Sequence, residues 1–217
     1  MKKITSYVCC LIIAIATLSG CKKDSSSSNS SNADYYFVGK ISGTSVRYEI
    51  KSSSTFQTAT SAGGFLATPP DTSEHAYEGG IYDAADVDEV PYVGINFQTV
   101  RWVDYAQSDS LFLAHFTTGS KSFLTTSDVG PDGVSISYEA SNFYYSSVGA
   151  VGISQPASNS VNVISVEKVP AALGMNAYVN VKAEIKALLY EYDANGDLTG
   201  NTIEIDGTIL VPIEKTL

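Results

Sequence analysis

Apolar and polar residues alternate with a period of two wherever a period can be read along this chain. The clearest run is Tyr178 to Leu189, where Val179, Val181, Ala183, Ile185, Ala187 and Leu189 fall on one side and Asn180, Lys182, Glu184 and Lys186 on the other. Successive side chains of a strand point to opposite faces, so the run predicts a β-strand with one buried and one wet face. A helix would spread the lysines around its core side. The last stretch repeats the pattern: Ile203, Ile205, Ile209, Val211 and Ile213 alternate with Glu204, Asp206, Thr208 and Pro212, and Gly207 is read as a bulge or bend. Between the two runs, Asp193, Ala194, Asn195 and Gly196 predict a turn, hence an antiparallel hairpin with a loop somewhat longer than two residues.

A second hairpin is predicted from Tyr35 to Ile41, a Ser42-Gly43 turn, and Thr44 to Ile50 with Val46, Tyr48 and Ile50 on one face. Tyr92 to Val100, Val134 to Tyr138 and Val161 to Val169 are further β-rich runs, punctuated by turn signals at Pro69-Pro70, Gly79-Gly80, Asp132-Gly133 and Pro170. Asp109 to Phe116 is the one stretch suited to a turn or two of helix. Several short strands with frequent turns imply an all-β fold, an antiparallel β-sandwich or barrel-like domain. No internal repeat of fixed period is present.

The N-terminus reads differently. Lys2 and Lys3 precede an apolar stretch from Val8 to Leu18, too short to span a bilayer and shaped like a signal peptide covering residues 1–20. Leu18, Ser19, Gly20 and Cys21 match the lipobox of bacterial lipoproteins. That resemblance implies cleavage before Cys21 and transfer of diacylglycerol to its thiol. Two or three acyl chains hold a protein stably where one does not, because each buried methylene contributes about 0.8 kcal/mol. Residues 21–33, with Lys22, Lys23, Asp24 and then a run of Ser and Asn, cannot bury a core and are read as a tether with an r.m.s. reach of roughly 20 Å. A single all-β domain, residues 34–217, follows. Attachment through Cys21 to the outer membrane of the cell envelope is the expected address.

All three cysteines, Cys9, Cys10 and Cys21, precede the domain, so no internal disulfide, thiolate catalyst or cysteine-ligated metal is available to it. The formal net charge is −10; loss of Lys2 and Lys3 leaves 11 basic against 23 acidic residues, a charge of −12. Such a surface repels phosphate backbones, which disfavours nucleic acid and anionic lipid as partners and keeps an exported protein soluble.

The layout resembles a broad group of Bacteroidota lipoproteins with a lipobox, a polar leader, an opening hairpin, a mid-chain glycine–hydroxyl–aromatic element and a closing hairpin with a glycine-containing strand. The matching pieces are Tyr36 to Gly43, then Gly119, Ser120, Lys121, Ser122 and Phe123 with an inserted lysine, and Ile205, Asp206, Gly207 and Thr208 to Ile213. The resemblance implies an all-β fold and an envelope address, and supplies no catalytic residues.

Candidate chemistry is sparse. His75 and His115 are the two histidines, so a zinc site would need both plus carboxylates; His115, within Leu111 to Phe116, is read as a partly buried ring with a satisfied nitrogen. No G-x-S-x-G elbow occurs; Gly133-Val134-Ser135-Ile136-Ser137 lacks the second glycine. Asp71, Glu74, Glu78, Asp83, Asp86, Asp88 and Glu89 form an acidic run, read as a solvated loop or, folded back, a calcium loop. Asp193, Asn195, Asp197, Thr199, Asn201 and Glu204 echo EF-hand spacing, but Leu198 replaces the required glycine and strands flank the run, so a hairpin turn is expected. No metal site and no cofactor is predicted.

Among 14 Tyr, 8 Phe and 1 Trp, the candidate ligand-binding rings are Trp102 with Tyr105, and the Phe143, Tyr144 and Tyr145 cluster, since flat rings exposed on a sheet stack on sugars or anchor a protein partner. Sheets favour aromatics in any case, so these rings are weighed against simple packing. Three readings follow: a non-catalytic binding or structural module facing a glycan or envelope protein, a surface glycan hydrolase, and a fimbrillin-like adhesin subunit that exchanges a strand. A flat or closed sandwich favours the first; a cleft with two carboxylates beside exposed rings favours the second.

Overall fold

The computed structural model describes residues 34–125, 132–141, 143–150, 153–173 and 175–216. The expected signal peptide, the expected lipidation at Cys21 and the expected tether fall outside the described residues. Eleven strands run as β1 Tyr36–Ile41, β2 Thr44–Glu49, β3 Phe56–Phe65, β4 Ser73–Asp83, β5 Tyr92–Trp102, β6 Gly119–Lys121, β7 Gly133–Ala140, β8 Phe143–Ser146, β9 Ser160–Val169, β10 Tyr178–Tyr192 and β11 Leu198–Glu214. One helix, α1 Ser108–His115, follows a single 3-10 turn at Tyr105–Gln107. The fold is all-β and antiparallel, as the alternation predicts.

The strands form one hydrogen-bonded path, β2-β1-β11-β10-β8-β7-β5-β4-β3, with β9 beside β10 and β6 beside β9. β10 is the branch point: residues 178–186 pair with β9, and Tyr190 to Tyr192 pair with β8. From there the sheet folds over, and β4 and β3 pack on β11. The path ends at β2 and β3 without a ladder joining them, yet Tyr48 of β2 stacks on Phe56 of β3 at 5.0 Å, so the sheet curls into a barrel-like sandwich around one core.

The two predicted hairpins form. β1 and β2 are joined through Ser42 and Gly43, both at positive φ (49° and 77°), the two-residue turn whose twist suits a hairpin. β10 and β11 pair from Tyr178↔Glu214 to Tyr192↔Leu198. The ladder runs straight through Gly207, opposite both Gly39 and Ile185, and the register shift falls at Tyr190/Tyr192 instead of at the glycine. The inward residues of β10 and β11 meet Tyr77, Ile81, Val93, Ile95 and Ile136 of the second layer in one core. Each such apolar side chain contributes about 1.5–3 kcal/mol when fully buried.

The helix plugs one end of the sandwich. Phe112 sits edge-on to Tyr77 at 4.8 Å and Phe116 edge-on to Phe97 at 5.2 Å, the arrangement ring quadrupoles favour. Lys215, just beyond β11, donates to Ser108 Oγ at 2.5 Å and to Asp109, fastening the start of the helix to the end of the last strand.

The acidic stretch is only partly the expected loop: Asp71, Asp86, Asp88 and Glu89 lie in exposed connections, whereas Glu74, Glu78 and Asp83 belong to a strand. Ser73 to Asp83 is the strand β4 inside the second layer, and Gly79-Gly80 lies mid-strand where a turn was expected. The glycine serves the packing of layers: a Cβ at Gly79 would lie 2.3 Å from the Pro212 carbonyl oxygen of β11. Gly79→Ala is therefore expected to destabilise the domain by about 1–3 kcal/mol in urea denaturation, as overpacking does. A variant as stable as the parent would show that the layers separate freely at this point.

Candidate functional site

Residues directly opposite one another on neighbouring strands point to the same face, so register decides what a sheet surface displays. On the second layer one row runs Gln57, Tyr82, Tyr92, Glu139, Tyr144 and Tyr192 across β3, β4, β5, β7, β8 and β10. At the usual inter-strand spacing it is about 24 Å long. Its alternation partners Ile81, Val93 and Tyr138 turn toward the core, so the row faces out. Tyr144 is 42% exposed, and its ring lies 5.9 Å from that of Tyr192.

The next row inward is small: Ala59, Gly80, Gly94, Ser137 and Ser146. Tyr92 uses that space. A Cβ on Gly94 would meet its hydroxyl at 2.3 Å, and one on Gly80 would meet its ring at 2.4 Å, so the phenol lies flat across the two glycines. Its hydroxyl donates to Glu78 Oε1 at 2.6 Å, and Ser137 Oγ donates to the same oxygen at 2.9 Å. Burial, then the Glu78 charge, pushes the Tyr92 phenol far above its ordinary range. Burial and Glu78 together also raise the Glu139 carboxyl. Tyr82 donates to Gln57 Oε1 at 3.2 Å and Tyr192 to the Val148 carbonyl at 2.6 Å, which fixes both hydroxyls. The surface is a row of rings with carboxylate and amide groups beside them, suited to stacking and hydrogen bonding against an extended polyhydroxylated chain.

The predicted cluster is divided by the strand it sits on. Tyr144 belongs to the outer row, whereas Phe143 and Tyr145 point to the other face of β8. There the Tyr145 ring packs on Tyr138 at 6.0 Å and on Phe143 at 6.4 Å, and its hydroxyl donates to Glu191 Oε2 at 2.9 Å. Glu191 also accepts from Thr199 Oγ1 at 2.8 Å and Asn201 Nδ2 at 3.1 Å, bonds that hold its carboxyl below the ordinary range. Tyr145 is thus a structural clasp on the hairpin, with Phe143, 51% exposed, at its rim.

Trp102 corrects its expectation. It is 3% exposed and stacked on His75 at 4.8 Å, so its face is not open to a ligand. Tyr105 is exposed on the 3-10 turn, under the Lys215 ammonium at 4.9 Å, and does not pair with Trp102. The missed members of the row are Tyr82, Tyr92, Glu139 and Tyr192. Alternation within each strand assigns each a face, but only cross-strand register lines them up.

The two histidines stand apart, His75 on β4 and His115 at the end of α1. Among the described residues no group of three or more His, Cys, Asp or Glu side chains could hold a metal ion. The 193–204 run forms the expected hairpin turn, with Asp193 Oδ1 accepting from the backbone of Asn195 and Asp197 at 2.9 Å each. His75 is buried, and burial lowers its pKa against a smaller opposing effect of the Phe65 backbone. Burial lowers that of His115 as well. The unfolded chain takes up these protons near pH 6.5 while the folded domain resists them, so this stability is present above pH 6.5 and is lost as pH falls toward the folded values. Urea midpoints are expected to drop between pH 7 and 5, above the carboxylate range, and His75→Phe, which keeps the stack, should flatten that slope. An unchanged slope would remove His75 as its source.

Compared with known proteins, the chain matches no family model, no curated protein and no solved structure.

Proposed function

We propose that the protein is a lipid-anchored, non-catalytic binding module of the cell envelope, whose outer aromatic row binds an extended glycan. The observation that carries this reading is the single register row in which Tyr82, Tyr92, Tyr144 and Tyr192 share the outer face of the sheet with Glu139. Pyranose rings present apolar C–H faces that stack on aromatics, while their hydroxyls need acceptors at the edges. A strip lying on a sheet face, instead of a cleft closing on two carboxylates, favours binding over hydrolysis. Strand exchange draws no support from β1, which lies inside the sheet between β2 and β11.

The anchor reading rests on Leu18, Ser19, Gly20 and Cys21 and on the polar residues that follow. Its orientation is favourable. The chain enters the domain beside Tyr35, whose hydroxyl donates to Asn180 at 3.1 Å, while Tyr192 lies twelve residues further along β10, about 40 Å away. Tethering at Cys21 would hold the Tyr192 end of the row outward, its Gln57 end lying beside Thr58 of the Tyr35 groove, and would raise the local concentration of whatever it contacts.

The test is a screen of glycans and envelope proteins against the detergent-solubilised protein. Saturable glycan binding is expected, with Tyr144→Ala and Tyr82→Ala each weakening it about tenfold. Phe143→Ala, on the opposite face, should leave affinity unchanged, and Trp102→Ala should lower stability first. Turnover of the bound glycan would replace the module by an enzyme; selective capture of an envelope protein with no glycan bound would replace the ligand. Separately, Cys21→Ser is expected to abolish retention in the membrane fraction on cell fractionation, and equal retention would remove the anchor.

A further inference from the structure

The end of the sandwich at which the chain enters is rimmed by exposed apolar side chains: Phe65, Leu66, Val103, Tyr105, Leu173 and Met175. They come from three separate connections. Leu173 stands at the tip of a tight turn closed by reciprocal backbone bonds between Ala172 and Met175 at 3.2 and 2.9 Å. Met175 and Tyr35, the second residue of the domain, line one groove with Asn176. Asn176 lines the neighbouring groove with Ala171 and Tyr105, which joins the entry point to the 3-10 turn. Val103 directly follows Trp102, the register partner of Ser73, and Phe65 is paired with the adjacent Glu74. Soluble surfaces scatter their apolar residues; a cluster at one end marks a contact.

We propose that this end lies on the lipid surface, with the Leu173 turn and the Val103–Tyr105 segment entering the headgroup boundary of the bilayer. The inference rests on the lipid-anchor reading. Twelve residues, 22–33, separate Cys21 from the first described residue, Asp34, and a polar coil of that length has an r.m.s. reach of roughly 20 Å. The apolar rim surrounds the place where that coil arrives, so an acyl-anchored chain presents this end to the bilayer at high effective concentration. Tyrosine beside aliphatic tips suits the interface, where one end of the ring is apolar and the other wet. Charge does not supply the attraction: the chain carries a formal charge of −10, and Asp34, Asp104 and Glu214 lie at this same end. The contact is therefore apolar, formed on zwitterionic lipid and insensitive to salt. The aromatic row starts near this end, at Gln57 beside Thr58 of the Tyr35 groove, and leads away from it to Tyr192.

The test uses the full lipid-modified chain reconstituted in phosphatidylcholine vesicles. Because Cys21 is acylated, Leu173→Cys introduces one free thiol for a nitroxide label, and Asn195→Cys on the far hairpin provides the control. The Leu173 label is expected to collide with an aqueous nickel complex at least about threefold less often than the Asn195 label, and more often with membrane-dissolved oxygen, at low and high salt alike. If the chain is vesicle-bound and both labels are equally aqueous, the docking inference is overturned while the anchor stands. If the chain is not retained by the vesicles at all, the anchor reading falls, and this inference with it.

Discussion

Everything in this domain depends on the burial of the β10–β11 hairpin against β4 and β5. With no cysteine available past Cys21, no covalent staple assists, and the conformational entropy of the ordered chain must be offset by apolar area alone. Val179, Val181, Ala183, Ile185, Ala187 and Leu189 supply one wall without interruption, and Ile205, Ile209, Val211 and Ile213 extend it. The opposing wall approaches so closely at Gly79 that no side chain fits there. Phe112 and Phe116 then seal the end that neither layer covers.

That single constraint dictates the outer surface too. Once Ile81, Val93 and Ile136 face inward, their neighbours must face outward, and antiparallel register lines Tyr82, Tyr92, Glu139 and Tyr144 into one row. A one-residue slip in β4 or β7 would bury a carboxylate, and one in β5 or β8 would turn Tyr92 or Tyr144 inward and break the row. The core therefore holds the strip in place without any dedicated loop. The Tyr145–Glu191 clasp works in the same direction, holding β8 to β10 where their shared ladder is only three residues long.

The two ends of the sandwich differ in kind. One receives the chain and carries aliphatic tips and Tyr105; the aromatic row begins near it at Gln57, beside Thr58 of the Tyr35 groove, and runs along the sheet to Tyr192 toward the other. On the proposed reading, a membrane-facing end and an outward-facing surface are the expected division of labour for a tethered module. Both are consequences of strand direction, since β1 and β10 start at the same end and β10 alone runs far enough to meet β8.

Long, strictly alternating runs were legible from the residues alone. The β10 and β11 pattern, the Ser42-Gly43 turn, the Asp193 turn and the short helix all follow from local chemistry, because each is decided by neighbours two to four positions away. β4 was obscured, since Glu74, Glu78 and the Gly79-Gly80 pair suggest solvent and turns while the inward set, His75, Tyr77 and Ile81, is interrupted by a glycine that packing requires. Trp102 misled for a related reason: a lone aromatic near a strand end has no local mark of whether it faces core or solvent. The sequence by itself determined an all-β chain with a lipobox-like start and no internal disulfide. Tertiary structure alone decided which rings share a surface, because residues separated by up to 135 positions, Gln57 and Tyr192, meet in one row only through cross-strand register, which no local pattern encodes.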